Sequence, residues 1–507
     1  MSGSAIPFAQ VPPNTRVPFF YVEFNNSQAQ SSQPVQRTLI VGQATTSVPA
    51  TPAPAFVVSP TWAAQQWGAD SELTCMIAAY RANDTVGELW ALPLADAVGS
   101  SKAGGGISFA ATSASAGTLF LTIAGTDIQV GVTVGMTAAQ IATATAAAIT
   151  LAASQNPLPV TTTANSAAVT VTATNGGTLG NDIPIMLNRL GGRGGQVTPT
   201  GVTVTVTALT GGATDPILTN IATWLGNAPF DFILSPYSDS VSLACTTAMM
   251  NFSTGRWSFN QQIFGHVWTA TKEALATAMG VTGPNDPHLT NLWVNPLSPS
   301  PGWLRIAARL GSVVPSIKIQ PNQPVQTLLA QGVMCETPDQ DIGWANEQAM
   351  FTAGWALDKP NYQGPQALRM VTTYTTNANG QPDQSYLDAE DMYLHMAIVR
   401  HLRSAITAQI PRALLADDGT RIAATPAGAS PLVITPSVAK VLLIADYNTM
   451  VDLNWVDDPD LFAKGLVVQR NSQDPRRLDV LYDPYYIVGL RVFAVLNEFH
   501  LSAIPAQ

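Results

Sequence analysis

The stretch HLTNLWVNPL (288–297), followed by PGWLRIAARLGSVV (301–314), decides the fold class. The first part is a short apolar run that ends at a proline, which predicts a buried strand. The second part carries apolar residues at helical spacing, which predicts a helix packed against that strand. The same order recurs in PFDFILSP (229–236) with SVSLACTTAMMNF (240–252). Strands alternating with helices predict an α/β fold with a largely parallel sheet covered by helices.

The strand–helix pattern occupies two separate parts of the chain, residues 37–100 and 215–320. Between them, residues 103–213 hold only four charged residues and are rich in Thr, Ala, Gly and Val. Segments such as GVTVTVTALTGG (201–212) alternate at period two, and one Ala-rich stretch from 137 to about 154 predicts a helix. We therefore expect residues 101–214 to form an inserted β-rich domain on the outer surface, with hinges at SKAGGG (101–106) and TGGATD (210–215).

Both ends of the chain carry apolar sequences that predict strands. Residues 17–24 place apolar side chains on both faces of a strand, and the prolines at 12, 13 and 18 suit an extended arm better than a sheet centre. The side chains predicted to contact another subunit are Val17, Phe19, Phe20, Tyr21, Val22 and Phe24. Residues 1–36 are therefore expected to be an N-terminal arm and linker.

A second apolar strand is predicted at 485–496, within a C-terminal arm (476–507) that closes an α/β domain spanning 321–507. Its predicted contact residues are Tyr485, Tyr486, Ile487, Val488, Leu490, Val492, Phe493, Val495 and Leu496. An apolar terminal strand is naturally used to join the sheet of another molecule. If that molecule is an identical subunit, the contact is heterologous and builds rings or helices. The sequence thus predicts the subunit of a polymer.

The composition agrees with an assembled protein and argues against several other classes. Only 11% of the 507 residues are charged, against 46% hydrophobic, so much of the surface is expected to be covered. The net charge of −10 argues against nucleic-acid binding. Three widely spaced cysteines suit a reducing compartment, and no secretory signal or membrane-spanning run is visible. We expect a protein that is made and folded in the cytoplasm.

No motif in the sequence indicates catalysis or a cofactor. GGRGG (191–195) does not lie between a strand and a helix, so a flexible turn is the better interpretation. Asp388, Asp391 and His395 share one helix face and could hold a divalent metal. The stronger interpretation is that the two acids complement the helix dipole and that His395 pairs with Asp391. We therefore expect no enzyme activity, no metal and no cofactor.

Five aspartates lie between residues 446 and 460, with no basic residue among them. They are Asp446, Asp452, Asp457, Asp458 and Asp460. This acidic stretch is either a solvated helix end or a docking patch for a basic partner.

The chain also resembles a known family, the contractile tail sheath proteins of Mu-like bacteriophages. The resemblance is carried by IPFAQVPPNTRVPFFYVEFNNSQA (6–29), RTLIVGQ (37–43), the interrupted α/β body and VLYDPYYIVGLRVFAVLNEF (480–499). It implies six-fold rings stacked around a tail tube in a metastable extended state. It also implies arms that complete sheets in neighbouring subunits, and contraction that drives the tube into the cell envelope.

The implied partners are further copies of the chain, the tail tube, the baseplate and the tail terminator, without nucleic acid or membrane insertion. The implied location is the tail of a virion assembled in the bacterial cytoplasm. Because such sheaths turn part of their C-terminal domain inward, the aspartates at 446–460 become candidate tube-facing residues. Two alternatives stay open: a polymeric surface or adhesive protein that does not contract, and a hydrolase with a dispersed site.

Overall fold

A computed structural model describes residues 36–281, 283–419 and 432–499 of the chain. The described residues from 37 onward belong to one compact unit. The N-terminal arm predicted at 17–24 lies outside the described residues.

The strands fall into four groups along the chain. Before the insert lie β1 (Thr38–Gln43), β2 (Ala55–Phe56) and β3 (Leu89–Leu94). The insert holds β4 (Lys102–Ala111), β5 (Gly117–Ile123), β6 (Thr126–Val132), β7 (Val160–Asn165), β8 (Ala168–Gly176), β9 (Ile185–Leu187) and β10 (Val202–Thr210). After it come β11 (Phe232–Leu234), β12 (His266–Lys272), β13 (Leu289–Val294), β14 (Ala356–Lys359) and β15 (Gln366–Arg369). The C-terminal part holds β16 (Leu414–Leu415), β17 (Val433–Ile434), β18 (Val456–Asp457), β19 (Val467–Arg470), β20 (Leu478–Leu481) and β21 (Tyr485–Tyr486).

The helices are most frequent outside the insert. They are α1 (Pro60–Trp67), α2 (Glu72–Arg81), α3 (Ala138–Gln155), α4 (Ile221–Leu225), α5 (Ser240–Met250), α6 (Leu275–Gly280), α7 (Gly302–Ile319), α8 (Trp344–Thr352), α9 (Ala389–Gln409), α10 (Pro436–Asp452) and α11 (Pro459–Gly465). Short 3₁₀ helices lie at Thr178–Asp182, Gly192–Gly194 and Pro338–Gln340. The second of these is the GGRGG turn. No helix within the described ranges is long and apolar enough to span a membrane.

The body is built on a mixed sheet that has eight strands among the described residues, in the order β15-β14-β13-β12-β11-β1-β3-β2. The six inner strands are parallel, and the two edge strands, β2 and β15, run antiparallel to their neighbours. This confirms the predicted α/β class with a largely parallel sheet. β14 and β15 belong to this sheet, so it extends beyond the boundary predicted at residue 320.

Helix α7 closes one face of the sheet and carries two buried arginines one turn apart. Arg305 and Arg309 are fully buried, and both guanidinium groups bind Asp358 on β14, at 3.0 and 2.7 Å. Arg305 also binds Glu336 at 3.2 Å. A buried charge is tolerated only when it is paired and hydrogen-bonded. These pairs therefore tie the late strand β14 to the helix that precedes it by some forty residues in sequence.

The insert consists of two antiparallel sheets, β10-β4-β8-β7 and β6-β5-β9, which pack against α3. Helix α3 begins where the sequence predicts, because Thr137 and Gln140 form a capping box. The hinge predicted at SKAGGG is wrong, since these residues enter β4. A Cβ atom at Gly105 would lie 2.7 Å from the Thr207 carbonyl oxygen, so the glycines allow close strand approach there rather than a flexible loop.

The insert docks on the carboxyl ends of β1 and β3. Asp96 accepts hydrogen bonds from Gln43 Nε2 (2.8 Å), Asn175 Nδ2 (2.9 Å) and the Gly176 amide (2.8 Å). Glu72 is buried beside this junction, and burial together with the nearby Asp96 raises the pKa of its carboxyl well above the usual range. The insert and the body are therefore joined by hydrogen bonds between buried polar groups.

The C-terminal part has its own apolar core, built on α9, α10 and α11. Thr435 caps α10 by accepting from the Val438 amide, and Pro436 is its first residue, as the sequence predicts. Helix α9 belongs to both cores. Its Met392 and Met396 pack into the central core, whereas Leu394 and Ile398 pack into the C-terminal one.

Candidate assembly surface

The C-terminal segment leaves the body in two stages, and the first stage, residues 485–491, is held firmly. We call these residues the arm root. β21 pairs antiparallel with β18, with Tyr486 opposite Val456. The Tyr485 amide donates to the Tyr447 hydroxyl at 3.1 Å, and the Ile487 amide donates to the Trp455 carbonyl at 3.1 Å. The arm root thus begins as a short edge strand of the C-terminal core.

The rest of the arm root lies along the loop that follows α7. Asn322 Nδ2 donates to the Ile487 carbonyl at 2.8 Å, and Gln326 Nε2 donates to the Leu490 carbonyl at 3.3 Å. Gly489 lies so close to Pro324 that a Cβ atom would overlap the proline ring. Arg491 Nη2 then binds Glu390 Oε1 at 2.9 Å and Asp388 Oδ1 at 3.4 Å.

Beyond Arg491 the chain is uncovered. Residues 492–499, which we call the free arm, carry large apolar side chains that are 71–84% exposed: Val492, Phe493, Val495, Leu496 and Phe499. Of the predicted strand at 485–496, only Tyr485–Tyr486 is a strand in the single chain. A strand requires a hydrogen-bonding neighbour. None of the described residues supplies one to the free arm.

The acids at the start of α9 hold the arm root. Asp388 and Asp391 form a capping box, and Arg369 binds both oxygens of Asp388, at 2.8 and 2.9 Å. Burial and the nearby Asp388 raise the pKa of Asp391 to about 6. Within the described parts of the chain no group of three or more acidic, histidine or cysteine side chains is arranged to hold a metal.

The predicted pairing of His395 with Asp391 is wrong. His395 Nδ1 instead lies 3.0 Å from the Tyr486 hydroxyl, and its ring packs edge-on against the Tyr486 ring. Burial lowers the pKa of His395 to about 4, so the imidazole is neutral near pH 7. The spacing of residues in the sequence predicts contacts within one helix. It cannot predict a contact with Tyr486, which lies 91 residues later in the chain.

The predicted acidic stretch is divided by the fold. Asp446 is buried and lies 3.0 Å from His401 Nε2, so its carboxylate does not face solvent. Asp452, Asp457, Asp458 and Asp460 are exposed where α10 ends and α11 begins. Asp458 accepts from the Leu461 amide and caps α11. Four of the five aspartates are therefore exposed, and Asp446 is not.

Sequence reasoning missed a hairpin next to the arm root. β19 and β20 pair only with each other among the described strands, and Val467, Val480 and Leu481 are partly or largely exposed on them. Leu478 and Val480 also line an apolar cavity with Leu402, Ile406 and Leu443 from α9 and α10. The alternation in VVQR and LDVL is the signal that could have identified this hairpin.

Comparison with known proteins decides the family. No family model matches the sequence. The chain is, however, 30% identical over 507 residues to the Mu-like prophage FluMu tail sheath protein of Haemophilus influenzae, covering 98% of this chain and 100% of that relative. The chain belongs to the family of Mu-like tail sheath proteins.

The chain also shows a partial likeness to solved structures of sheath proteins. The sheath tail protein of Desulfitobacterium hafniense covers 92% of this chain with 100% of its own, at 11% identity and a TM-score of 0.43. That of Listeria innocua covers 90% and 92%, at 10% identity and 0.45. The anti-feeding prophage helical sheath in its contracted state covers 96% and 99%, at 9% identity and 0.45.

Membership of this family confirms the resemblance predicted from the two ends and the interrupted body. The protein is a contractile tail sheath subunit, a structural component of a phage or prophage tail rather than an enzyme. The hydrolase and the non-contracting surface protein are thereby set aside. Among the described residues, the free arm, the open edges of the β19–β20 hairpin and the exposed aspartates are the surfaces of this sheath subunit that we consider for assembly.

Proposed function

We propose that this sheath subunit polymerises as stacked six-fold rings around a tail tube, and that the subunits are linked by exchanged strands. The observation that carries the proposal is the free arm, whose five large apolar side chains are 71–84% exposed directly after a firmly held root. Burying each of them would contribute roughly 2–3 kcal/mol. Adding the arm to a neighbouring sheet would also satisfy its unpaired backbone groups.

The β19–β20 hairpin is the acceptor that the geometry favours. Its strands have open edges among the described residues, and apolar side chains lie beside them. An arm that leaves one subunit and enters the hairpin of the next makes a heterologous contact, which closes into rings or continues as a helix. The N-terminal arm at 17–24 is the second exchanged strand in this proposal.

Contraction requires links that persist while the bodies change neighbours. The linker at 25–36 has 12 residues and can extend to roughly 40 Å, and its Asn, Ser and Gln content suits a tether. In the extended state the subunits store the energy that a baseplate signal releases. The sheath then shortens and drives the tube through the host envelope.

The remaining surfaces are assigned within the same polymer. We place the insert (101–214) on the outside and the exposed aspartates at 452–460 toward the tube. The other partners are the baseplate and the tail terminator. The particle is a virion tail assembled in the bacterial cytoplasm.

A matched pair of substitutions in the free arm tests strand exchange. Phe493→Asp places a charge where an apolar side chain would be buried, at a cost of several kcal/mol. Asn497→Asp places the same charge at a polar position in the same arm. We expect electron micrographs of Asn497→Asp and wild type to show striated tubes, and Phe493→Asp to remain monomeric with an unchanged Tm. Tubes formed by Phe493→Asp would contradict the proposal.

A further inference from the structure

We infer that Arg491 is the positioning residue of the C-terminal arm. It fixes the backbone where the arm leaves the body and thereby sets the direction in which residues 492–499 project toward a neighbouring subunit. The inference rests on the proposed strand exchange, because only there does the direction of the arm decide whether it reaches its acceptor.

The arm root has two faces, and Arg491 is the last residue on the inner one. Ile487, Gly489 and Arg491 are partly covered by the body, whereas Val488 and Leu490 are exposed. This period of two is that of an extended chain lying along a surface. The side chain of Arg491 is 14% exposed, and every residue from 492 to 499 is exposed.

Arg491 attaches the arm root to the body through charged groups. Glu390 is buried, and its Oε1 accepts from Arg491 Nη2 at 2.9 Å and from the Val325 amide at 2.8 Å. Asp388 already has Arg369 as its main partner. Burial raises the pKa of Glu390, and the positive charge of Arg491 opposes that rise. Arg491 therefore compensates a carboxylate that would otherwise be buried beside two other acids.

The other attachments past residue 487 are weaker. Gln326 donates one neutral hydrogen bond to the Leu490 carbonyl at 3.3 Å, and Gly489 contributes only contact with Pro324. Hydrogen bonds between charged groups are roughly twice as strong as neutral ones. Without Arg491, the chain from 488 onward would lose its principal hold. The free arm would then swing from residue 487 instead of leaving from a fixed point.

The mobility of a spin label at position 490, measured on unpolymerised subunits, tests the inference together with the yield of tubes. Leu490 is exposed on the outer face of the arm root, so the label attached through Leu490→Cys leaves the inner contacts in place. Cys245→Ser in the same chain prevents labelling of the half-buried native cysteine.

Arg491→Gln should speed the motion of the label at least about tenfold and reduce tube yield. Because this change leaves the buried Glu390 without its cation, it should also lower Tm. Arg491→Lys keeps the charge and should preserve slow motion and tubes. Adding Glu390→Gln to Arg491→Gln removes the unpaired charge, so it should restore Tm while the label stays mobile.

Arg193→Gln is the matched control. Arg193 is exposed on the short 3₁₀ helix Gly192–Gly194 of the insert, so its loss should change neither readout. Unchanged label mobility in Arg491→Gln would overturn the inference, and so would a mobile label with normal tube yield. Neither result depends on the Phe493→Asp experiment, which tests strand exchange by itself. Failure of the positioning role and failure of strand exchange are therefore distinguishable.

Discussion

The Tyr486 hydroxyl lies 3.0 Å from Nδ1 of His395 and joins the C-terminal arm root to the helix that is shared by both cores. Through this contact and Arg491, the position of the arm depends on α9. The arm is thus attached to the element that links the central sheet to the C-terminal core.

His395 gives the subunit a defined pH dependence. Burial lowers its pKa from 6.5 to about 4, so the unfolded chain binds a proton between these values that the folded chain does not. This histidine therefore costs stability as the pH falls from about 6.5 to 4. We expect the difference in unfolding free energy between wild type and His395→Gln to shift in favour of the variant over that window, measured by urea denaturation. A difference that stays constant with pH would contradict the assigned environment.

Asp96 is expected to hold the insert to the body. Asp96→Ala leaves two side-chain amides and the Gly176 amide without their acceptor, which should cost about 2–4 kcal/mol. We expect faster proteolysis between the insert and the body, together with a lower urea midpoint. Asp127→Ala is the control, because Asp127 is about half exposed on the insert and away from the junction. Equal effects of the two variants would argue against a specific junction.

The exposed aspartates should bind the tube in a salt-sensitive way. Changing Asp457, Asp458 and Asp460 to Asn removes three charges, and Asn still suits the helix cap and left-handed backbone at Asp458. We expect weaker co-assembly with tube protein at low salt and a smaller difference at high salt, measured by co-sedimentation. A control variant replaces three exposed aspartates elsewhere by Asn, at Asp127, Asp239 and Asp339. If both variants bind the tube equally, these aspartates do not face it.

Many helices and strands of the body could be predicted, because the sequence patterns that specify them involve residues close together in the chain. The apolar run at β13, the spacing in α7 and the caps of α3 and α10 each depend on neighbouring residues. β14 and β15 could not be predicted, because each is four residues long and β14 is tied to α7 by buried ion pairs rather than by an apolar pattern. The available signal was the pair Arg305 and Arg309, spaced by four on a largely apolar helix.

The assembly surface could be predicted only in outline. The apolar sequence at 485–496 identifies a segment with exposed apolar side chains. It does not show that the segment is held by the body up to Arg491 and uncovered after it. That division depends on Asn322, Gln326 and Glu390, which lie 100 or more residues earlier in the chain. Likewise, the run of aspartates does not reveal that His401 removes Asp446 from the surface.

The N-terminal arm allows the most direct test of strand exchange. The sequence of residues 17–24 predicts a strand with apolar side chains on both faces, and in the proposed polymer this strand lies between the sheet of another subunit and its cover. The measurement is the sedimentation of a chain lacking residues 1–26, with its Tm recorded on the same sample. The account predicts a folded monomer with nearly unchanged Tm that forms no tubes, and the same for Phe20→Asp in the full chain. A truncated chain that still forms tubes, or one that unfolds, would contradict it.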